Sequence, residues 1–127
     1  MIILKLPIPP SINKYYGTKN DKSKFLLDEV KLFRWETLIE VKKLKIKPLN
    51  GSVQLRILFV FKDKRKHDVD NRIKSLQDAL QIAGLFADDV QVNNSNLAKM
   101  YKKSDKSYVL VRVDNSQNII NEDWIND

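Results

Sequence analysis

A small single-domain α+β fold, with a mixed β-sheet packed against two helices, is what three observations predict. Strand-like alternation is strongest at Val53–Phe61. Helical spacing governs two stretches, about Asp28 to Lys43 and about Asn71 to Ala83. The order runs strand, helix, strand, helix and then further strands, with no repeat and no internal linker. A chain of 127 residues is long enough to bury a core without staples.

Ile2 to Leu6 alternates weakly and reads as a first strand, which Pro7-Ile8-Pro9-Pro10 must end because proline cannot donate to a ladder. Residues Asn13 to Lys24 are polar and lysine-rich and read as a loop, with Tyr15 and Tyr16 near its start. In the first helical stretch Val30, Phe33, Thr37, Leu38 and Val41 form the inward stripe, Trp35 packs at its edge, and Asp28 is placed to be the N-cap. Pro48 and Asn50-Gly51 make a turn. In the second helix Ile73, Leu76, Leu80 and Ala83 face inward, Asp70 stands at the N-cap position, and Gly84 stands where a glycine stop belongs. Leu97 to Tyr101 and Ser107 to Val113 are expected to close the domain as a hairpin.

Composition narrows the function. There is no cysteine, which excludes disulfides, thiolate metal sites and cysteine nucleophiles. The one histidine, His67, has no G-x-S-x-G partner motif, so serine hydrolase chemistry is a poor fit. The net charge of +7 understates the basic body, because Asp114 to Asp127 holds Asp114, Glu122, Asp123 and Asp127 and no base. A body this basic suits a polyanion such as nucleic acid. Met1 to Leu6 is too short for a signal peptide and no run reaches membrane-spanning length, so we expect a cytoplasmic protein without a membrane partner.

The most informative segment is Lys66-His67-Asp68-Val69-Asp70-Asn71-Arg72-Ile73-Lys74. Carboxylates set among lysines repel the phosphates that the lysines attract. A divalent cation removes the conflict, since it binds the acids and presents positive charge to a phosphodiester. Asp68 and Asp70, two apart, point to one side of an extended segment and suit one ion. Asp70 reads equally as a helix cap. Lys74 lies one helical turn on, placed either to offset charge on a scissile phosphate or simply to sit exposed. Asp88-Asp89, past the helix's other end, opposes the macrodipole, as a functional pair or as a solvated turn. His67 reads as a ligand, a base, a phosphate contact or a residue without a role. Carboxylates without thiolates select Mg²⁺, with Mn²⁺ as substitute. Candidate DNA contacts are Lys14, Lys62, Lys64, Arg65, Lys66, Arg72, Lys102 and Lys103.

Three segments together resemble the RusA family of Holliday-junction resolvases. Leu6-Pro7-Ile8-Pro9-Pro10-Ser11-Ile12-Asn13-Lys14-Tyr15-Tyr16 looks like the family's N-terminal signature. Asp68-Val69-Asp70-Asn71 with Lys74 and Asp78-Ala79-Leu80 is similar to its D-x-D-N-x-x-K…D-A-L block. Gly84 to Val92, which includes Asp88-Asp89 and Gln91, resembles its G-x-x-x-D-D-x-Q-V block. The resemblance implies a nuclease domain over residues 1–113, followed by an acidic tail over 114–127 that has no counterpart. It also implies metal-binding catalytic acids at Asp68, Asp70 and Asp89 and a catalytic lysine at Lys74. By the same resemblance the protein is a Mg²⁺-dependent endodeoxyribonuclease, a homodimer that nicks four-way DNA junctions in pairs. His67 departs from the arginine often found before the first aspartate. Two other readings compete: a nuclease for other branched DNA on the same scaffold, and a non-catalytic DNA-binding domain with structural acids.

Overall fold

The computed structural model describes residues 1–18 and 24–115. Its elements are β1 (Ile2–Leu6), β2 (Tyr16–Thr18), β3 (Lys24–Leu26), α1 (Asp28–Lys43), β4 (Val53–Phe61), α2 (Asp70–Ile82), β5 (Val92–Tyr101) and β6 (Tyr108–Asp114). Short 3-10 turns precede β2 and β5. The main sheet has the order β1-β6-β4-β5, antiparallel except for the parallel β4–β5 pair. This is the expected α+β domain with a mixed sheet and two helices.

Register explains the core. Leu4 lies opposite Val111, Val111 opposite Ile57, and Ile57 opposite Leu97, so one row crosses the whole sheet on one face. Leu6, Val109 and Phe59 form the next row on that face. Against it pack Phe33 and Val41 of α1, and Leu76, Ala79 and Leu80 of α2, all buried. The opposite sheet face carries Ile3, Leu58, Ala98 and Leu110 with Arg56 and Arg112.

The closing hairpin is not formed, because β4 lies between β5 and β6. Burial gives the reason. Val109, Val111 and Val113 are buried, whereas β5 carries Asn93, Asn94, Ser95 and Asn96 and is largely exposed, so it takes the edge. Passage from β4 through α2 to β5 is a crossover, which makes that pair parallel. The polar stretch read as a loop carries β2 and the first residue of its antiparallel partner β3, and Tyr15 at its start is buried.

Helix ends also differ from expectation. The N-caps are Leu27 and Val69, neither with a side-chain cap bond, while Asp28 and Asp70 are the first helical residues. There they still complement the dipole at the helix start. Trp35 is 60% exposed and packs on nothing in the core, since the stripe of Val30, Phe33, Thr37 and Val41 passes it by. The stop at Gly84 holds. Its φ is +87°, Gly84 N–H donates to Gln81 O, and Leu85 N–H donates to Leu80 O, which together form a Schellman motif.

Candidate active site

The proline segment is pinned to α2. Ser75 Oγ donates to Pro10 O at 2.5 Å, and Arg72 Nη1 donates to Pro9 O at 2.7 Å. Arg72 Nε also donates to Asp68 O at 3.2 Å. Arg72, expected at the DNA surface, is therefore committed to backbone carbonyls. These bonds bring the segment from Ser11 to Tyr15 against α2, where Tyr15 faces Asp78.

Asp68 has a local role that its sequence position did not reveal. Its Oδ1 accepts from Asp70 N–H at 3.1 Å and its Oδ2 from Asn71 Nδ2 at 2.6 Å, so it organises the entry to α2. The Asp70 carboxylate is exposed and makes no hydrogen bond or ion pair among the described residues. The cap expected of Asp70 is thus supplied, in effect, by Asp68.

One turn along α2, Lys74 Nζ lies 3.0 Å from Asp78 Oδ1 and 3.2 Å from Asp89 Oδ2. Asp78 first and Asp89 second raise the lysine's pKa, and Lys74 is the main cause holding the Asp89 carboxyl below its usual range. Of the two adjacent acids only Asp89 faces Lys74. Asp88 turns back to accept from Val90 N–H at 3.1 Å and caps the 3-10 turn Asp89–Gln91.

That turn is held by glutamines. Gln91 Oε1 accepts from Ala87 N–H at 2.9 Å and Asp88 N–H at 3.1 Å. Gln91 Nε2 donates to Leu49 O at 2.8 Å and Gly51 O at 2.9 Å. Gln81 Oε1 accepts from Asp89 N–H at 3.1 Å. Nothing local in the sequence marks Gln91, Gln81 or Asp78 for these roles, although Gln91 and Asp78 sit inside motif blocks. Tyr15 and Arg34 were also missed. Arg34 Nη2 donates to the Tyr15 hydroxyl at 2.7 Å, and that hydroxyl donates to Asp78 Oδ2 at 3.1 Å. Burial is the main cause raising the Tyr15 pKa, so the phenol keeps its proton for this bond.

The basic candidates gather at one end of the sheet. Lys62, Lys64, Arg65 and Lys66 are exposed between β4 and α2, and Lys102 and Lys103 between β5 and β6. Lys102 N–H donating to Phe61 O at 3.0 Å ties the two loops together. Lys64, Arg65 and Lys66 share an open cavity of about 390 Å³ with Lys99 and Tyr101. His67 lies flat on Phe61, ring centroids 3.8 Å apart, with Nε2 2.9 Å from Asp63 Oδ1, so its ring is engaged within the protein. Lys99, absent from the predicted contacts, donates to His67 O at 3.0 Å. The Lys14 side chain lies outside the described residues. So does the tail beyond Asn115, whose side chain donates to Asn50 O and Ser52 O.

The donor set of Asp68, Asp70 and Asp89 is hard carboxylate oxygen, chemistry that fits Mg²⁺. The set is not preassembled. Among the described residues no three acidic or histidine side chains gather closely enough to hold an ion, and Lys74 stands against Asp89.

Residues 7–113 match the family model for endodeoxyribonuclease RusA. The chain is 33% identical over 98 residues to the crossover junction endodeoxyribonuclease RusA of Escherichia coli (strain K12), covering 76% of this chain and 81% of that one. It is 28% identical over 98 residues to the protein of that name from Enterobacteria phage HK97, with the same coverage. It is 26% identical over 116 residues to the Aquifex aeolicus protein, covering 89% of this chain and 88% of that one. The matched region begins in the proline segment pinned to α2 and ends within β6, so it encloses the whole acid–lysine site. The chain belongs to the endodeoxyribonuclease RusA family.

Proposed function

We propose that this protein is a structure-selective endodeoxyribonuclease that resolves four-way Holliday junctions by Mg²⁺-dependent phosphodiester hydrolysis, acting as a homodimer. The observation that carries the reading is Lys74 held between Asp78 and Asp89 on α2, one turn from the Asp68–Asp70 pair. The relatives' names, crossover junction endodeoxyribonuclease, support the substrate.

Asp68, Asp70 and Asp89 would hold the ion, whose Lewis acidity offsets charge on the scissile phosphate. The protein's own part begins with the basic loops carrying Lys62, Lys64, Lys66, Lys102 and Lys103, which hold backbone phosphates of the junction. Asp68 fixes the start of α2 through Asp70 N–H and Asn71, and so sets the direction in which Asp70 projects. The ammonium of Lys74 has three donors, two of them used by Asp78 and Asp89, and among the described residues the third has no partner and can reach a phosphate oxygen.

A four-way junction has two equivalent scissile strands, which a two-fold dimer addresses together. Support for a dimer comes from the second sheet face, which no other described residue covers, where Ile3, Leu58, Ala98 and Leu110 line an apolar depression of about 320 Å³ and Ile3 is 58% exposed. Leu110→Glu should leave a monomer by sedimentation. A persisting dimer would move the interface elsewhere.

The test of the reading is cleavage by the full chain with Mg²⁺ on synthetic four-way junction, flap and linear duplex. Paired nicks in the junction, abolished by chelation, are expected. Asp70→Asn should lose several orders of magnitude in rate while junction binding persists, because the change removes negative charge near the phosphates. Equal cutting of all three substrates would remove junction selectivity. Full nicking by Asp70→Asn would remove that residue from the site.

A further inference from the structure

We propose that Arg34, Tyr15 and Asp78 form a hydrogen-bonded relay that positions the Lys74 ammonium for catalysis. This rests on the reading of Lys74 as part of the active site and goes beyond it by naming what aims the lysine. The relay draws one residue from each of three parts of the fold: Arg34 from α1, Tyr15 from the turn before β2, and Asp78 from α2.

Donor chemistry fixes the direction of every link. Arg34 can only donate, so at 2.7 Å the Tyr15 oxygen must accept from it. The Tyr15 proton then goes to Asp78 Oδ2 at 3.1 Å, and Asp78 Oδ1 accepts from Lys74 Nζ at 3.0 Å. Both Asp78 oxygens are thereby committed, and the carboxylate cannot rotate without losing a partner. Alone, a solvent-accessible i,i+4 Lys–Asp pair is weak and fixes little. With Asp78 anchored from behind by a buried phenol, the lysine has one fixed partner and Asp89 as the second.

Stability does not account for Arg34. Its Nε is buried with no hydrogen-bond partner among the described residues, a destabilising placement that an apolar side chain would avoid. The charge is oriented instead by its Nη2 bond and its position near the Tyr15 ring, 5.3 Å from the centroid. It polarises the Tyr15 O–H towards Asp78. The relay runs from that part-buried guanidinium outward to the site and ends at Lys74.

The experiment is single-turnover cleavage of a synthetic four-way junction by the full-length protein with Mg²⁺, alongside junction affinity and thermal unfolding. Tyr15→Phe removes one oxygen and keeps the ring. It should slow cleavage about 10- to 100-fold, the range for a reacting group misplaced by up to about an ångström, with affinity unchanged. Arg34→Met should also slow cleavage while the melting temperature holds or rises, a split that a merely structural arginine would not give. In a Lys74→Ala background Tyr15→Phe should have no further effect, since both act through one group. Tyr15→Phe at the parental rate, or an equal further loss on top of Lys74→Ala, would overturn the relay and leave Lys74 in place. Lys74→Ala cleaving at the parental rate would instead refute the active-site reading, and the relay with it.

Discussion

Gln91→Leu tests how the Asp89 turn is built. The substitution keeps the bulk of the side chain and removes its amide. Four hydrogen bonds go with it, two accepted from Ala87 and Asp88 and two donated to Leu49 and Gly51. Three of the four are exposed, so their backbone partners can turn to water and each loss costs about 0.5 kcal/mol; the part-buried bond to Leu49 O costs about 1 kcal/mol. The expected total is about 2–3 kcal/mol, which for a domain of this size lowers the melting temperature by roughly 10 °C. Urea denaturation checks the first figure. Catalysis should suffer more than stability, because Gln91 ties the turn carrying Asp89 to the chain around Leu49 and Gly51. A displacement of about 1 Å at Asp89 would cost cleavage about 100-fold under single turnover at 25 °C. Destabilisation below about 0.5 kcal/mol together with parental cleavage would refute the clamp, since four bonds of any worth cannot vanish unnoticed.

Gly84→Ala isolates backbone strain, because a Cβ there meets nothing within 4 Å and φ is +87°. It should cost roughly 1–2 kcal/mol in urea unfolding, and a neutral result would mean that the Schellman turn relaxes freely. Junction affinity should fall steeply with salt: if about six phosphates are neutralised, the log–log slope lies near −5. A flat response would remove the basic loops from the interface. The Asp63 carboxyl is held well below its usual range by Arg65 first and His67 second. A lowered folded pKa means its contribution to ordering the loop before α2 is complete above about pH 3.9 and is lost as pH falls through the lower folded value. The amide shifts of Arg65 and His67 should therefore stay constant between pH 5 and pH 4 (values of about 5 and 4 bracket the ordinary carboxylate range), and titration within that window would contradict the pairing.

What the sequence made legible follows from where the physics is local. Val53–Phe61 reads as a strand because its own alternation and branched side chains suffice, and Gly84 reads as a stop because only its own φ is at issue. Asp68, Asp70, Lys74 and the Asp88-Asp89 pair stand out because charge type and spacing are visible in the chain, whereas the choice of Asp89 within that pair comes from the family resemblance. Strand order was not legible, since β5 takes the edge by a comparison with β6 that neither segment states alone. The hairpin expectation failed at that point.

The supporting residues were hidden for a related reason. Tyr15 and Asp78 are 63 positions apart, and Gln91 reaches Leu49 across 42. Nothing local distinguishes a tyrosine that will anchor a carboxylate from one that fills a loop. Arg72 shows the reverse error: in a basic stretch beside acids it reads as a phosphate contact, yet the carbonyls of Asp68 and Pro9 take its guanidinium. The same two-point grip brings the proline segment, and with it Tyr15, to the flank of α2. Positive charge in this chain is therefore divided between two tasks. The exposed lysines of the two loops at the sheet end face solvent, where a polyanion can reach them. The two arginines that touch the proline segment and Tyr15 hold the framework around Lys74, and substituting either should alter cleavage far more than the salt dependence of binding.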